Sequence, residues 1–317
     1  MTKTRLFFIT DVHGSDRCFR KFVNAGKFYG ADVLILGGDI TGKMIVPIVR
    51  QPGGGYRCSF AGGERALGSD AEATEMVKVI KDSGYYPYFA EPSEVAELSA
   101  KPELVDSLFR KLMREDVERW MALAAERLKG TGIRCYVSPG NDDYFDIDPV
   151  LDSAEYVVNP EGKVVEIDDE HEMITLGYTN HTPWNSPREV DEDVLDGKIR
   201  AMSSQVKRMD RAVFNLHVPP IDTVIDQAPA LDATLKPKIR AGSVETISAG
   251  SKAVRRRIEE DQPLMGIHGH IHESRGMVKI KRTLCFNPGS EYSSGLLRGL
   301  LCEIEGTKIK SHILTAG

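Results

Sequence analysis

Two short apolar runs, Leu6-Phe7-Phe8-Ile9 and Val33-Leu34-Ile35-Leu36, are separated by a stretch of helical periodicity near Ser15 to Phe28. Strand, helix and strand in that order form a β-α-β unit, whose crossover makes the two strands parallel. The next comparable run is Cys135-Tyr136-Val137. The connection between them, Lys43 to Gly132, is far longer than the usual loop between sheet elements and must carry structure of its own.

Within that connection, Met44 to Val49 and Tyr56 to Phe60 flank Gly53 to Gly55, which reads as a hairpin. A helix is predicted near Ala71 to Lys81. Leu104, Leu108, Leu112, Val117, Trp120, Leu123 and Leu128 then recur at largely helical spacing, and Gly130 supplies a C-terminal stop. Residues 43–132 are therefore expected to be an inserted hairpin and helical cap within one domain spanning 1–317. Further on, Val164 to Ile167 and Met173 to Tyr178 read as a hairpin around Asp168-Asp169-Glu170. A helix near Asp191 to Met209 precedes the strand Ala212 to Leu216. A second helix near Val244 to Glu260 precedes Leu264 to Ile267, and short strands follow from Met277 to Leu314. This order predicts an α/β fold with a pair of mixed sheets flanked by helices.

With 41% hydrophobic and 28% charged residues among 317, the composition is that of a globular chain able to bury a large core. The net charge of −6 weighs against an extended nucleic-acid partner, whose binding draws on clustered Lys and Arg, but leaves a small anionic substrate open. Cys18, Cys58, Cys135, Cys285 and Cys302 show neither close pairing nor metal-ligand spacing, which suits a reducing compartment. The apolar run before Asp11 is too short for a signal-peptide core or a membrane span. A cytoplasmic location away from membranes is expected.

Function enters where the strands end, because ligands of open α/β sheets collect at the carboxyl ends of strands. Asp11-Val12-His13-Gly14 follows the first strand, and Gly37-Gly38-Asp39 follows the second. Gly140-Asn141-Asp142-Asp143 follows the third. Taken singly, these read equally well as a helix cap with a loop histidine, a Gly-Asp turn and an Asx turn. His217 and His268-Gly269-His270-Ile271-His272 then close two further strands. Of eight histidines, His13, His217, His268, His270 and His272 lie at such ends, a clustering that surface histidines have no reason to show.

The ordered set resembles the calcineurin-like metallophosphoesterase superfamily, whose signature runs DxH, GGD, GNH(D/E), H and GHxH. The match spans almost the whole chain apart from the insertion. The resemblance implies two mixed β-sheets packed face to face, with two cations at one edge. By position, Asp11, His13 and His272 would hold the first cation, Asn141, His217 and His270 the second, and Asp39 would bridge them. Mixed imidazole and carboxylate donors suit Mn, Fe, Zn, Ni or Co. Two divalent ions less two carboxylates and a hydroxide leave about one positive charge for phosphate.

The expected activity is hydrolysis of a small phosphate ester by a hydroxide bridging the two metals. Asp142 stands where the superfamily has a histidine associated with leaving-group protonation. An aspartate held ionised near cations is a poor proton donor and would repel a dianionic monoester, which points to a diester such as a cyclic nucleotide. A nucleotide phosphomonoesterase or pyrophosphatase is the alternative, and a protein-binding scaffold of the same fold is a third. His181 is a second candidate proton donor, Trp184 and Asn141 are candidate substrate contacts, and His268 and Asn287 are candidate supports of the metal ligands. The insertion offers a surface for a homo-oligomer.

Overall fold

The computed structural model describes residues 3–240 and 242–317. Its centre is two packed sheets. The first has five strands in the order 308–316, 298–305, 3–9, 33–37, 134–138, the last three parallel. The second has six, in the order 276–280, 283–287, 265–267, 213–216, 172–176, 164–166, with four central strands parallel and an antiparallel strand at either edge.

Successive side chains of a strand point to opposite faces, and strand Lys3–Ile9 uses both. Leu6 and Phe8 face Met173, Val213, Met265, Ile267 and Phe286 of the second sheet. Phe7 and Ile9 join Cys18, Phe19, Phe22 and Trp120 on the helical side. The outer face of the second sheet, with Ile174, Leu176, Phe214 and Leu216, packs on helices Glu192–Ser203 and Lys252–Asp261. Four layers result, and each fully buried large apolar side chain contributes about 1.5–3 kcal/mol. The predicted α/β class and the two mixed sheets are present.

Helix Asp16–Tyr29 begins where Ser15 accepts from the Cys18 amide and ends at Gly30 in the left-handed region. The inserted segment differs from a hairpin with helices. Strands Ile45–Arg50, Tyr56–Phe60, Gly63–Leu67 and Tyr86–Ala90 form a four-stranded mixed sheet around Ile48, Cys58, Met76 and Ile80. Tyr86–Ala90 pairs parallel with Ile45–Arg50, a long-range pairing that no local pattern announces. Helix Pro102–Leu128 is amphipathic only in its second half. There Met113, Val117, Trp120, Ala124 and Leu128 enter the main core. Trp120 stacks on Phe19 with ring centroids 4.2 Å apart and donates to Asp16. The second half of this helix is thus a layer of the main fold.

Two further differences lie after His217. The predicted helix near Val244 to Glu260 begins only at Lys252, capped by Ser251 and by the Glu192 carboxylate, which accepts from the Lys252 and Ala253 amides. Residues before it form short strands, Gln227–Pro229 with Thr246–Ser248 and Ile239–Arg240 with Ser243–Val244. Arg256 and Arg257 of this helix clasp Asp196 of the neighbouring helix.

Candidate metal centre

The parallel strands of both sheets direct their carboxyl ends to one rim, and the sequence motifs meet there. Asp11 and His13 leave strand Lys3–Ile9, and Asp39 leaves Val33–Gly37. Backbone bonds zip these two loops together: Asp11 N–H donates to Gly38, His13 to Asp39 and Gly14 to Ile40. The resulting turns force Asp11, His13, Asp39 and His270 into positive φ, between 39° and 67°. Non-glycine residues adopt that region at a cost, and the adjoining hydrogen-bonded loops hold them there.

Glycines make room for the donors. A Cβ on Gly38 would stand 2.4 Å from His217 Nδ1, one on Gly140 2.2 Å from Asp39 Oδ1, and one on Gly269 2.4 Å from Asp11 Oδ2. The spacing of glycine beside donor in three separate motifs is therefore a packing requirement of the cluster.

Asp11, His13 and His272 offer atoms within 4.8 Å of one another, as do Asp39, His217 and His270. Asp39 touches both sets, with Oδ2 3.6 Å from His13 Nε2 and 3.4 Å from His217 Nε2. Asp11 Oδ1 lies 3.4 Å from His272 Nε2 and 3.7 Å from His217 Nε2. Asn141 Oδ1 meets His270 Nδ1 at 2.8 Å while its amide nitrogen donates to Ser186, leaving the oxygen turned inward. The seven side chains singled out as metal donors thus share one rim, which a random set of loop residues would not do.

The donor chemistry, imidazole beside carboxylate, is of a kind that could hold metal. His217 Nδ1 is held by the Gly37 carbonyl at 2.9 Å, so the buried Nε2, which has no hydrogen-bond partner among the described residues, is the nitrogen that faces the cluster. His13 Nε2 and His272 Nε2 face each other at 3.1 Å, an approach that needs a proton or a cation beside the two lone pairs. Burial drives Asp39 up to about 6, helped by Asp142 and Asp11 and opposed by His217. Burial would raise Asp11 too, but the His272 hydrogen bond and surrounding imidazoles hold it well below the usual carboxylate range. Burial opposes protonation of His217, yet the Asp39 and Asp11 carboxylates raise it to about 10. Burial and the charge of His217 lower His270 to about 4.

The supporting residues are equally specific. Asn287 donates to the Ile271 carbonyl at 2.9 Å and accepts from Gly289, bracing the loop that carries His270 and His272. His268 is fully buried behind the cluster, its Nδ1 2.7 Å from the Leu216 carbonyl. His181 is not brought among the donors: it sits at the surface, with Nε2 3.1 Å from Asp191. Trp184 is 63% exposed on the same loop. Asp142 lies at the edge of the cluster, where its amide donates to Asp39.

Several contributors escaped the motif reading. Lys43 Nζ lies 2.7 Å from Asp142 Oδ2, so the carboxylate expected to repel phosphate is paired with a cation. Buried Arg188 donates to the Asp143 carbonyl and to Asp148, fixing the loop that presents Asn141. Tyr292 packs on the His13 ring at 4.8 Å. The inserted segment also reaches the centre: Ser15 donates to the Asp82 carbonyl, Gly42 N–H donates to the Tyr86 hydroxyl, and Gly84 packs against the His13 carbonyl. Only Lys43, directly behind the Asp39 motif, carried a local signal, that of a cation next to a candidate anion site.

Two packed mixed sheets carry this ordered donor set at one rim, the arrangement that the resemblance of the motifs to the calcineurin-like metallophosphoesterases leads one to expect. No protein-family model matches the chain. It is similar to the uncharacterized protein MJ1162 of Methanocaldococcus jannaschii, 31% identical over 152 residues, which are 47% of this chain and 61% of that protein. The chain thus spans under two thirds of that relative's length. The solved structure of TT1561 of Thermus thermophilus superposes with a TM-score of 0.55 at 12% identity, over 100% of this chain and 99% of that one. A second solved structure gives 0.59 at 15% identity over 99% of each chain. At these identities the likeness is one of fold.

Proposed function

We propose that this chain is a metal-dependent phosphoesterase that hydrolyses a small phosphodiester. The observation that carries the proposal is Asp39, whose carboxylate reaches His13 of one donor set and His217 of the other. Asp11, His13 and His272 would hold one divalent ion, and Asn141, His217 and His270 the other, with Asp39 between them. Such ions would supply an activated water and positive charge for phosphoryl oxygens. The protein's part is to hold the donors rigidly, to keep His217 turned inward through Gly37, and to set Lys43 and Asp142 beside the phosphate position.

Support for a diester comes from the space around the donors. One groove of about 550 Å³ runs from His270 and another of about 630 Å³ from Asp142 and Lys43, and Trp184 lines both. A phosphate with two ester arms has room for one in each. The Lys43–Asp142 pair favours a second reading, a phosphomonoesterase, because it removes much of the repulsion that a lone Asp142 would exert on a dianion.

The deciding experiment is a screen of metal-reconstituted protein on matched monoesters, diesters and pyrophosphates, with Asp39→Asn and His217→Ala as controls. Diester hydrolysis lost in both variants is expected. Unchanged hydrolysis in both would remove the site, and a large preference for monoesters would select the second reading.

A further inference from the structure

The groove beside His270 is unlike a nucleotide or polyphosphate site. One wall comes from the excursion between His217 and strand Met265–Ile267, which the superfamily motifs do not touch. It contributes Pro229, Leu231, Leu235 and Ile247, and Trp184 stands opposite on the loop after strand Glu172–Leu176. Trp184, Leu235 and Ile247 are 63%, 48% and 51% exposed. Large apolar side chains gathered at one spot, open to solvent, mark a binding surface.

The polar groups along the groove are mostly engaged elsewhere. Glu192 accepts from Ser251 and from the Lys252 and Ala253 amides, and His181 is paired with Asp191. Lys252 is the one Lys or Arg among the described residues that line it, and Glu273 lines the same groove. Those residues offer no cluster of cations to receive further phosphates. The groove is nonetheless continuous with the donor cluster, because His270 and Ile271 form its inner end. Its volume suits a single organic group held beside the phosphoryl position.

We propose that this groove seats an uncharged, apolar arm of the substrate, so that the substrate class is a phosphodiester of an aryl or alkyl alcohol rather than a nucleoside polyphosphate. The proposal rests on the phosphoesterase reading above and deepens it. Binding an apolar arm next to His270 places its ester oxygen at the donors, while the Lys43 side takes the other arm.

The test uses dimethyl, methyl phenyl and methyl octyl phosphates as competitive inhibitors of bis(p-nitrophenyl) phosphate hydrolysis by the metal-reconstituted full chain. The inhibition constant is expected to fall about tenfold or more from dimethyl phosphate to methyl phenyl or methyl octyl phosphate. Ile247→Asp and Leu235→Asp, both at exposed positions, should flatten that fall. Equal inhibition constants for all three esters, or a fall that survives both substitutions, would overturn the proposal.

Tryptophan emission gives a readout independent of turnover. The chain has two tryptophans, and Trp120 is buried in the core, so Trp184 reports on the two grooves it lines, and loss of the response in Ile247→Asp assigns it to the one beside His270. Methyl phenyl phosphate should alter emission at concentrations where dimethyl phosphate does not. If no ester is hydrolysed with any metal, the phosphoesterase reading fails while that difference in emission still supports an apolar seat. Identical responses to the two phosphates would refute the seat itself.

Discussion

Lys43 Nζ and Asp142 Oδ2 lie 2.7 Å apart at the mouth of the donor cluster, at the position where the superfamily motif has a histidine. Burial disfavours the Lys43 charge, but Asp142 and then Asp39 outweigh it and raise the ammonium above its usual value. Lys43 therefore stays a cation throughout the physiological range and can donate to a phosphoryl oxygen. Lys43→Met should raise KM about tenfold, a modest effect because the side chain is 48% exposed and screened by water. Steady-state kinetics on one diester checks this, and Lys43→Arg should recover most of the loss. A KM unchanged in Lys43→Met would show that the pair does not meet substrate.

Asp39→Asn removes the carboxylate that touches both donor sets. Metal content by elemental analysis should fall, and diester hydrolysis should drop by about a hundredfold or more, since even outer-shell partners of metal ligands commonly account for 10–100-fold. Retention of full metal content together with full activity would exclude Asp39 as the shared ligand.

Gly38 has φ +115°, and a Cβ there would meet His217 Nδ1 at 2.4 Å. Gly38→Ala should displace the imidazole and weaken metal binding while leaving the circular dichroism spectrum close to wild type. The comparison with Gly53→Ala, where a Cβ meets nothing within 4 Å, separates crowding from a general intolerance of alanine.

His268 gives a pH dependence with a definite sign. Burial lowers its folded value to about 4, against about 6.5 in the unfolded chain. Between those values the unfolded state binds more protons, so stability from this group is present above about pH 6.5 and lost as pH falls toward 4. The loss should approach about 3 kcal/mol. Urea midpoints from pH 7 to 4 should show a steeper decline for wild type than for His268→Gln, and parallel declines would refute the assignment.

All five cysteines are buried, and burial pushes the Cys135 and Cys285 thiols up to about 12. A thiol needs its anion to react. Native protein should show no rapid modification by a disulfide reagent, and all five thiols should react after denaturation.

The donor set was legible in the sequence because each member sits at the end of an apolar run, and a strand end fixes where its next residues lie. Asp11, Asp39, His217 and His270 needed no knowledge of the loops between them. The four-stranded inserted sheet was not legible, because the parallel pairing of Ile45–Arg50 with Tyr86–Ala90 joins segments far apart and leaves no local period. Helix Pro102–Leu128 was readable as a helix, but its place in the main core depends on Trp120 meeting Phe19, which spacing alone does not reveal. The late start of helix Lys252–Asp261 reflects the carboxylate of Glu192 arriving from another helix to cap it. Lys43 was passed over since only the folded loops bring it to Asp142.

The left-handed turns at Asp11, His13 and Asp39 are fastened by main-chain bonds between neighbouring loops, and those bonds use none of the side-chain donor atoms. A zinc finger collapses when stripped of its metal because the metal is its scaffold. Here the scaffold precedes the cargo. Chelation should silence the protein and lower its melting temperature while the circular dichroism spectrum stays that of the folded chain, and remetallation should revive it without a refolding step.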